Sequence, residues 1–95
     1  MKYLKTYEEK KGMTFNKWLK THPQDVNTTV IQCFDANLID LDGIQDFKNL
    51  KELYCFNNNL TSLNLKGLNN LEKLYCQNNN LTSLNLKGLN NLEEL

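Results

Sequence analysis

A chain of 95 residues is bounded to one domain, near the size at which a single hydrophobic core gives only modest stability. Eleven basic residues balance eleven acidic ones, and a net charge of zero argues against a nucleic-acid partner, which is held mainly through its phosphates. The opening MKYLKTYEEKKG lacks the apolar stretch of a secretory signal and no later run is long enough to cross a bilayer, so the expectation is a cytoplasmic protein with no membrane partner.

Residues 1–27 differ in kind from the rest and are expected to form a helical cap. Tyr3, Leu4 and Tyr7 recur at helical spacing and Gly12 is placed to end that helix. Thr14 is placed to cap a second helix carrying Phe15, Trp18 and Leu19, which Pro23 should stop. Lys2, Lys5, Lys10, Lys11, Lys17 and Lys20 make this segment basic, whereas Asp25, Asp35, Asp40, Asp42 and Asp46 make the next one acidic. Both are read as solvated faces.

Residues 28–95 are built on repetition. The block LTSLNLKGLNNL runs from Leu60 to Leu71 and again, letter for letter, from Leu81 to Leu92, an offset of 21 residues. In register, Leu50, Leu53, Cys55, Asn58 and Leu60 match Leu71, Leu74, Cys76, Asn79 and Leu81, a spacing of LxxLxCxxNxL. This spacing resembles the leucine-rich repeat of short bacterial, internalin-like type. The resemblance implies an α/β solenoid of about three repeats behind the N-terminal helical cap, with units at 28–49, 50–70 and 71–91 and a partial unit at 92–95. The first unit is degenerate: Ile31, Cys33 and Leu38 fill the slots, but Ala36 stands where Asn is expected.

The alternation in Leu53-Tyr54-Cys55 and Leu74-Tyr75-Cys76 marks short strands with Leu and Cys inward and Tyr outward. Asn58 and Asn79 should turn the chain, since a side-chain amide donates and accepts at once. Ala36 cannot, so the first turn should differ. Beyond the bend, Leu60, Leu63, Leu65, Leu68 and Leu71 point inward while Thr61, Ser62, Asn64, Lys66, Asn69 and Asn70 face water. Gly67 and Gly88 suit positive φ on the outer side, and the short return favours 3₁₀ or irregular turns over α-helix.

Three cysteines suggest metal or disulfide chemistry, but Cys33, Cys55 and Cys76 occupy one inward slot of successive units and lack close CxxC or CxxH pairs. They are read as a buried column, and neither a cofactor nor a metal is expected. His22 is the only histidine and has no nucleophile beside it in sequence, so it reads as a turn residue. No Gly-rich phosphate loop or GxSxG occurs, and nothing matches the catalytic domain of the leucine-rich-repeat ubiquitin ligases, so no enzyme activity or small-molecule substrate is expected. The acceptor pattern at Asn27, Asn59 and Asn80 carries little weight without an export signal.

Outward strand positions are the remaining candidates: Val30, Gln32 and Phe34, then Glu52, Tyr54 and Phe56, then Lys73, Tyr75 and Gln77. Exposed aromatic side chains on a rigid sheet are costly to leave bare and are enriched at binding hot spots. Phe34, Glu52, Tyr54, Phe56, Lys73, Tyr75 and Gln77 are therefore the expected partner-binding face of a non-enzymatic protein-binding module. A small stand-alone inhibitor of a larger enzyme, similar in size and character to anti-CRISPR antagonists of bacterial defence, is an alternative, as is a fragment of a bacterial surface adhesin. A fourth reading, nucleic-acid binding through the Lys-rich cap with Tyr3, Tyr7 and Trp18, is weak at zero net charge. Finally, Leu89, Leu92 and Leu95 are expected to leave an uncovered apolar edge, which further repeats of a longer array, a second copy forming a homodimer or a capping partner could cover.

Overall fold

The computed structural model describes residues 12–93. The expected first helix, with Tyr3, Leu4 and Tyr7, lies outside the described residues, as does Leu95.

Helix α1 spans Phe15–Thr21. Thr14 caps it in extended conformation, its hydroxyl accepting from the Lys17 amide at 3.2 Å. A second cap comes from 25 residues away, where Asp40 Oδ1 accepts from the Phe15 amide at 3.0 Å. The helix closes with the His22 amide donating to Trp18 O at 2.9 Å, one residue before Pro23. Phe15 and Trp18 bury one face, and Phe15 meets Phe47 edge-on at 6.2 Å. Backbone pairing fastens this segment to the return segment after the first strand: Met13 bridges Leu38, donating to Asn37 O at 2.8 Å and accepting from Ile39 N at 2.9 Å.

Three strands follow: β1 at Val30–Gln32, β2 at Glu52–Tyr54 and β3 at Lys73–Tyr75. They form one parallel sheet in the order β1-β2-β3, with Ile31 beside Leu53 and Leu53 beside Leu74. Each parallel pair needs a long crossover, supplied by the leucine-rich return segments. A 3₁₀ turn at Ile44–Asp46 lies in the first crossover and begins at Gly43, whose φ is +102°. In the next crossover Leu60, Leu63, Leu65, Leu68 and Leu71 are buried, and Thr61, Ser62, Asn64, Lys66, Asn69 and Asn70 are exposed. That partition is the one expected, and Gly67 and Gly88 take φ of +91° and +85°.

The bends after the strands depend on two asparagines. Asn58 is buried; its Oδ1 accepts from the Ala36 and Leu38 amides, each at 3.0 Å, and its Nδ2 donates to the Cys33 and Cys55 carbonyls at 2.9 and 3.0 Å. Asn79 repeats the pattern one strand on, accepting from Leu60 N and donating to Cys55 O and Cys76 O, all at 3.0 Å. Each of these asparagines thus serves its own bend and the bend before it. That first turn does differ: Asp35 and Asn37 both have positive φ, whereas the later bends place only Asn57 and Asn78 there.

The expectation of an α/β solenoid, a short leucine-rich-repeat array, is corrected by this architecture. The described residues form one α-helix and three parallel strands of three residues in an open sheet, and no solenoid or repeat array is indicated. The physical reason lies in the environments of the duplicated blocks. Leu60 is fully buried and Leu63 nearly so, but their identical counterparts differ: Leu81 is half-buried and Leu84 is 36 % exposed. Recurrence in sequence therefore does not produce recurrence in packing here, because the last block has no layer over it among the described residues.

Candidate functional site

The sheet register sets the outward side chains in a three-by-three grid. Val30, Glu52 and Lys73 form one row, Gln32, Tyr54 and Tyr75 the next, and continuing the register gives Phe34, Phe56 and Gln77. Strand spacing brings like beside like. Tyr54 and Tyr75 stack with ring centroids 5.1 Å apart and planes within 12°, and Phe34 and Phe56 stack at 4.7 Å and 4°. The Tyr54 hydroxyl donates to Glu52 Oε1 at 2.6 Å, which fixes that ring along its own strand. Glu52 lies directly beside Lys73, a favourable opposite-charge neighbour across the strands.

Stacking covers one face of each ring. Phe34 remains 40 % exposed, while Tyr54, Phe56 and Tyr75 are half-buried. The seven residues expected to bind a partner therefore lie on one side of one sheet, with Asp35, Asn57 and Asn78 exposed at its margin. Asn78 Nδ2 donates to Asn57 Oδ1 at 2.7 Å, so part of that margin is ordered by its own side chains. The surface is preorganised, and preorganisation lowers the entropy lost on association.

Sequence reasoning placed Trp18 in the core of the cap and gave His22 no task. Trp18 is indeed sandwiched, stacking on Phe15 at 5.7 Å and on His22 at 4.7 Å. The helix also carries both residues to the end of the sheet where Phe34 lies, and with it they line one cleft. No periodicity links residue 18 to residue 34, so this juxtaposition has no signal in the sequence.

The expected buried column of cysteines holds for Cys33 and Cys55 and only partly for Cys76. All three are free, Cys33 and Cys55 are buried, and Cys76 is half-buried. Burial pushes the Cys33 thiol up to about 12, against a backbone hydrogen bond that lowers it. Cys55 is raised by burial and then by its neighbours Cys33 and Cys76, and Cys76 is raised by burial. Such thiols hold their protons and make poor nucleophiles. Among the described residues no cluster of His, Cys, Asp and Glu is suited to a metal ion.

The expected apolar edge needs correction at one residue. Leu89 is buried, because the last turn folds it under, and Leu92 is half-buried against the core. The exposed apolar residue of that block is Leu84 instead.

No helix among the described residues is long and apolar enough to cross a membrane. No family model, curated protein or solved structure matches this chain.

Proposed function

We propose that the protein is a non-enzymatic protein-binding module acting through the face formed by Phe34, Glu52, Tyr54, Phe56, Lys73, Tyr75 and Gln77. The observation that carries this reading is the pair of aromatic stacks, Phe34 on Phe56 and Tyr54 on Tyr75, presented side by side on one surface of a short rigid sheet. Aromatic anchors within a polar margin have the layout of an interface core and rim. Burial raises the Cys33 and Cys55 thiols, which argues against cysteine nucleophilic chemistry. The proposal includes a cytoplasmic setting, supported by three free cysteines, which a reducing compartment preserves. Kinship with leucine-rich-repeat proteins is proposed on the residue spacing alone.

The test is the double substitution Tyr54→Ala and Tyr75→Ala, measured against a partner first identified by pull-down with the wild-type protein. Loss of two anchors should weaken binding by at least about 2 kcal/mol, roughly thirtyfold in Kd. Unchanged affinity in a folded double variant would sink the reading.

A further inference from the structure

Beside the aromatic stacks lies a cleft of about 310 Å³ between α1 and the end of β1, walled by Trp18, His22, Gln32, Phe34 and Asp35. Phe56 covers the face of Phe34 that looks toward β2. Phe34 also lines the cleft beside the helix, and the residue as a whole is 40 % exposed. An open aromatic face is an electron-rich surface that attracts a cation.

The polar groups of the cleft point to the same ligand chemistry. Asp35 is exposed, and among the described residues its carboxylate has no hydrogen-bond or ion-pair partner. Its backbone is fixed, because φ is +52° and the amide donates to Phe56 O at 3.2 Å. His22 Nδ1 lies 3.2 Å from Trp18 O and 2.9 Å from Thr21 Oγ1. A carbonyl can only accept, so the contact with Trp18 O makes Nδ1 the donor of that hydrogen bond. The cleft is therefore lined by an acidic residue and an aromatic ring. A guanidinium group is their complement: planar, positively charged and made only of donors.

Comparison of the three bends strengthens the case. The positions matching Asp35 are Asn57 and Asn78, and all three have nearly the same backbone, with φ of 52°, 56° and 57°. Asn satisfies that conformation at two bends, so backbone geometry does not require Asp at the third. The charge stands only at the bend beside the open face of Phe34.

We propose that this cleft takes an arginine side chain of the protein partner, with the guanidinium laid on the open face of Phe34 and paired with the Asp35 carboxylate. The proposal rests on the reading that the neighbouring aromatic face binds a protein.

The test uses the full chain and three blocked tripeptides, Gly-Arg-Gly, Gly-citrulline-Gly and Gly-Lys-Gly, titrated to roughly tens of millimolar while the fluorescence of Trp18, the only tryptophan, is followed. The arginine peptide should give a saturable change. The citrulline peptide, which has nearly the same shape without the charge, should bind roughly fivefold more weakly, and so should the lysine peptide, which lacks the planar fork. Asp35→Asn keeps the bend, as Asn57 and Asn78 show, and should weaken arginine binding by about the same factor while leaving citrulline unaffected. No saturable response, equal binding of arginine and citrulline, equal binding of arginine and lysine, or an unchanged Asp35→Asn titration would each overturn the assignment. The Tyr54→Ala and Tyr75→Ala variant separates the two claims, because neither tyrosine lines the cleft. It should lose the partner and keep the arginine response.

Discussion

One side chain, Asn58, holds two bends of the backbone together. It accepts from two amides and faces the carbonyls of Cys33, Cys55 and Phe56, and it is 6 % exposed. Replacing it by Ala strands these groups away from water, so Asn58→Ala should lower unfolding stability by about 3 kcal/mol, read from urea denaturation. Asn79→Ala should cost about half as much, because Asn79 is only half-buried and water can replace its bonds. A second contrast concerns glycine. A Cβ at Gly12 would collide with Ile39 Cγ2 and lie 3.0 Å from Asn37 O, whereas a Cβ at Gly67 meets nothing within 4 Å, and both residues have φ of +91°. Gly67→Ala should therefore cost about 1 kcal/mol of backbone strain, and Gly12→Ala clearly more, by the same measurement. The asparagines were legible in the sequence because they recur with fixed spacing. The close approach at Gly12 was not, since Ile39 is related to it only by the backbone bridge between Met13 and Leu38.

At the scale of elements, the duplicated blocks form an internal control. Leu63 and Leu84 occupy the same position of the same twelve-residue sequence, yet they are 7 % and 36 % exposed. Leu63→Ala should cost about 3 kcal/mol and Leu84→Ala less than about 1 kcal/mol, compared by denaturant midpoints at constant m value. The alternation of Leu, Tyr and Cys was enough to locate the strands. It could not reveal this difference, because burial is set by the neighbouring layer and not by the block itself. The cysteine column makes the fold sensitive to alkali. With thiols raised in the folded state, the unfolded chain releases protons first as pH passes the ordinary value of 9.0, so stability is fully present below that pH and falls above it toward 12. At about pH 10.5 each of Cys33 and Cys55 should account for a loss of about 2 kcal/mol. A double Cys33→Ala and Cys55→Ala variant should show a flatter profile between about pH 8 and pH 10.5.

The whole molecule divides one short chain between a scaffold of leucines and asparagines and a proposed binding face of aromatics. The face was legible from the sequence because strand alternation put Phe34, Tyr54, Phe56 and Tyr75 outward, and the register then stacked them in pairs. Repetition of sequence implies repetition of packing only where each copy meets the same neighbours, and the described residues form an open sheet of three strands instead. The cleft beside Phe34 was invisible because it depends on where the helix docks. The central claim, that this face receives a protein partner, is tested most directly by placing a photo-cross-linking benzoylphenylalanine at position 54 in one sample and at position 66, in the exposed return segment, in another. Irradiation in extract of the native host should give a discrete protein adduct from position 54 and none from position 66. Adducts from position 66 with none from position 54 would contradict the account.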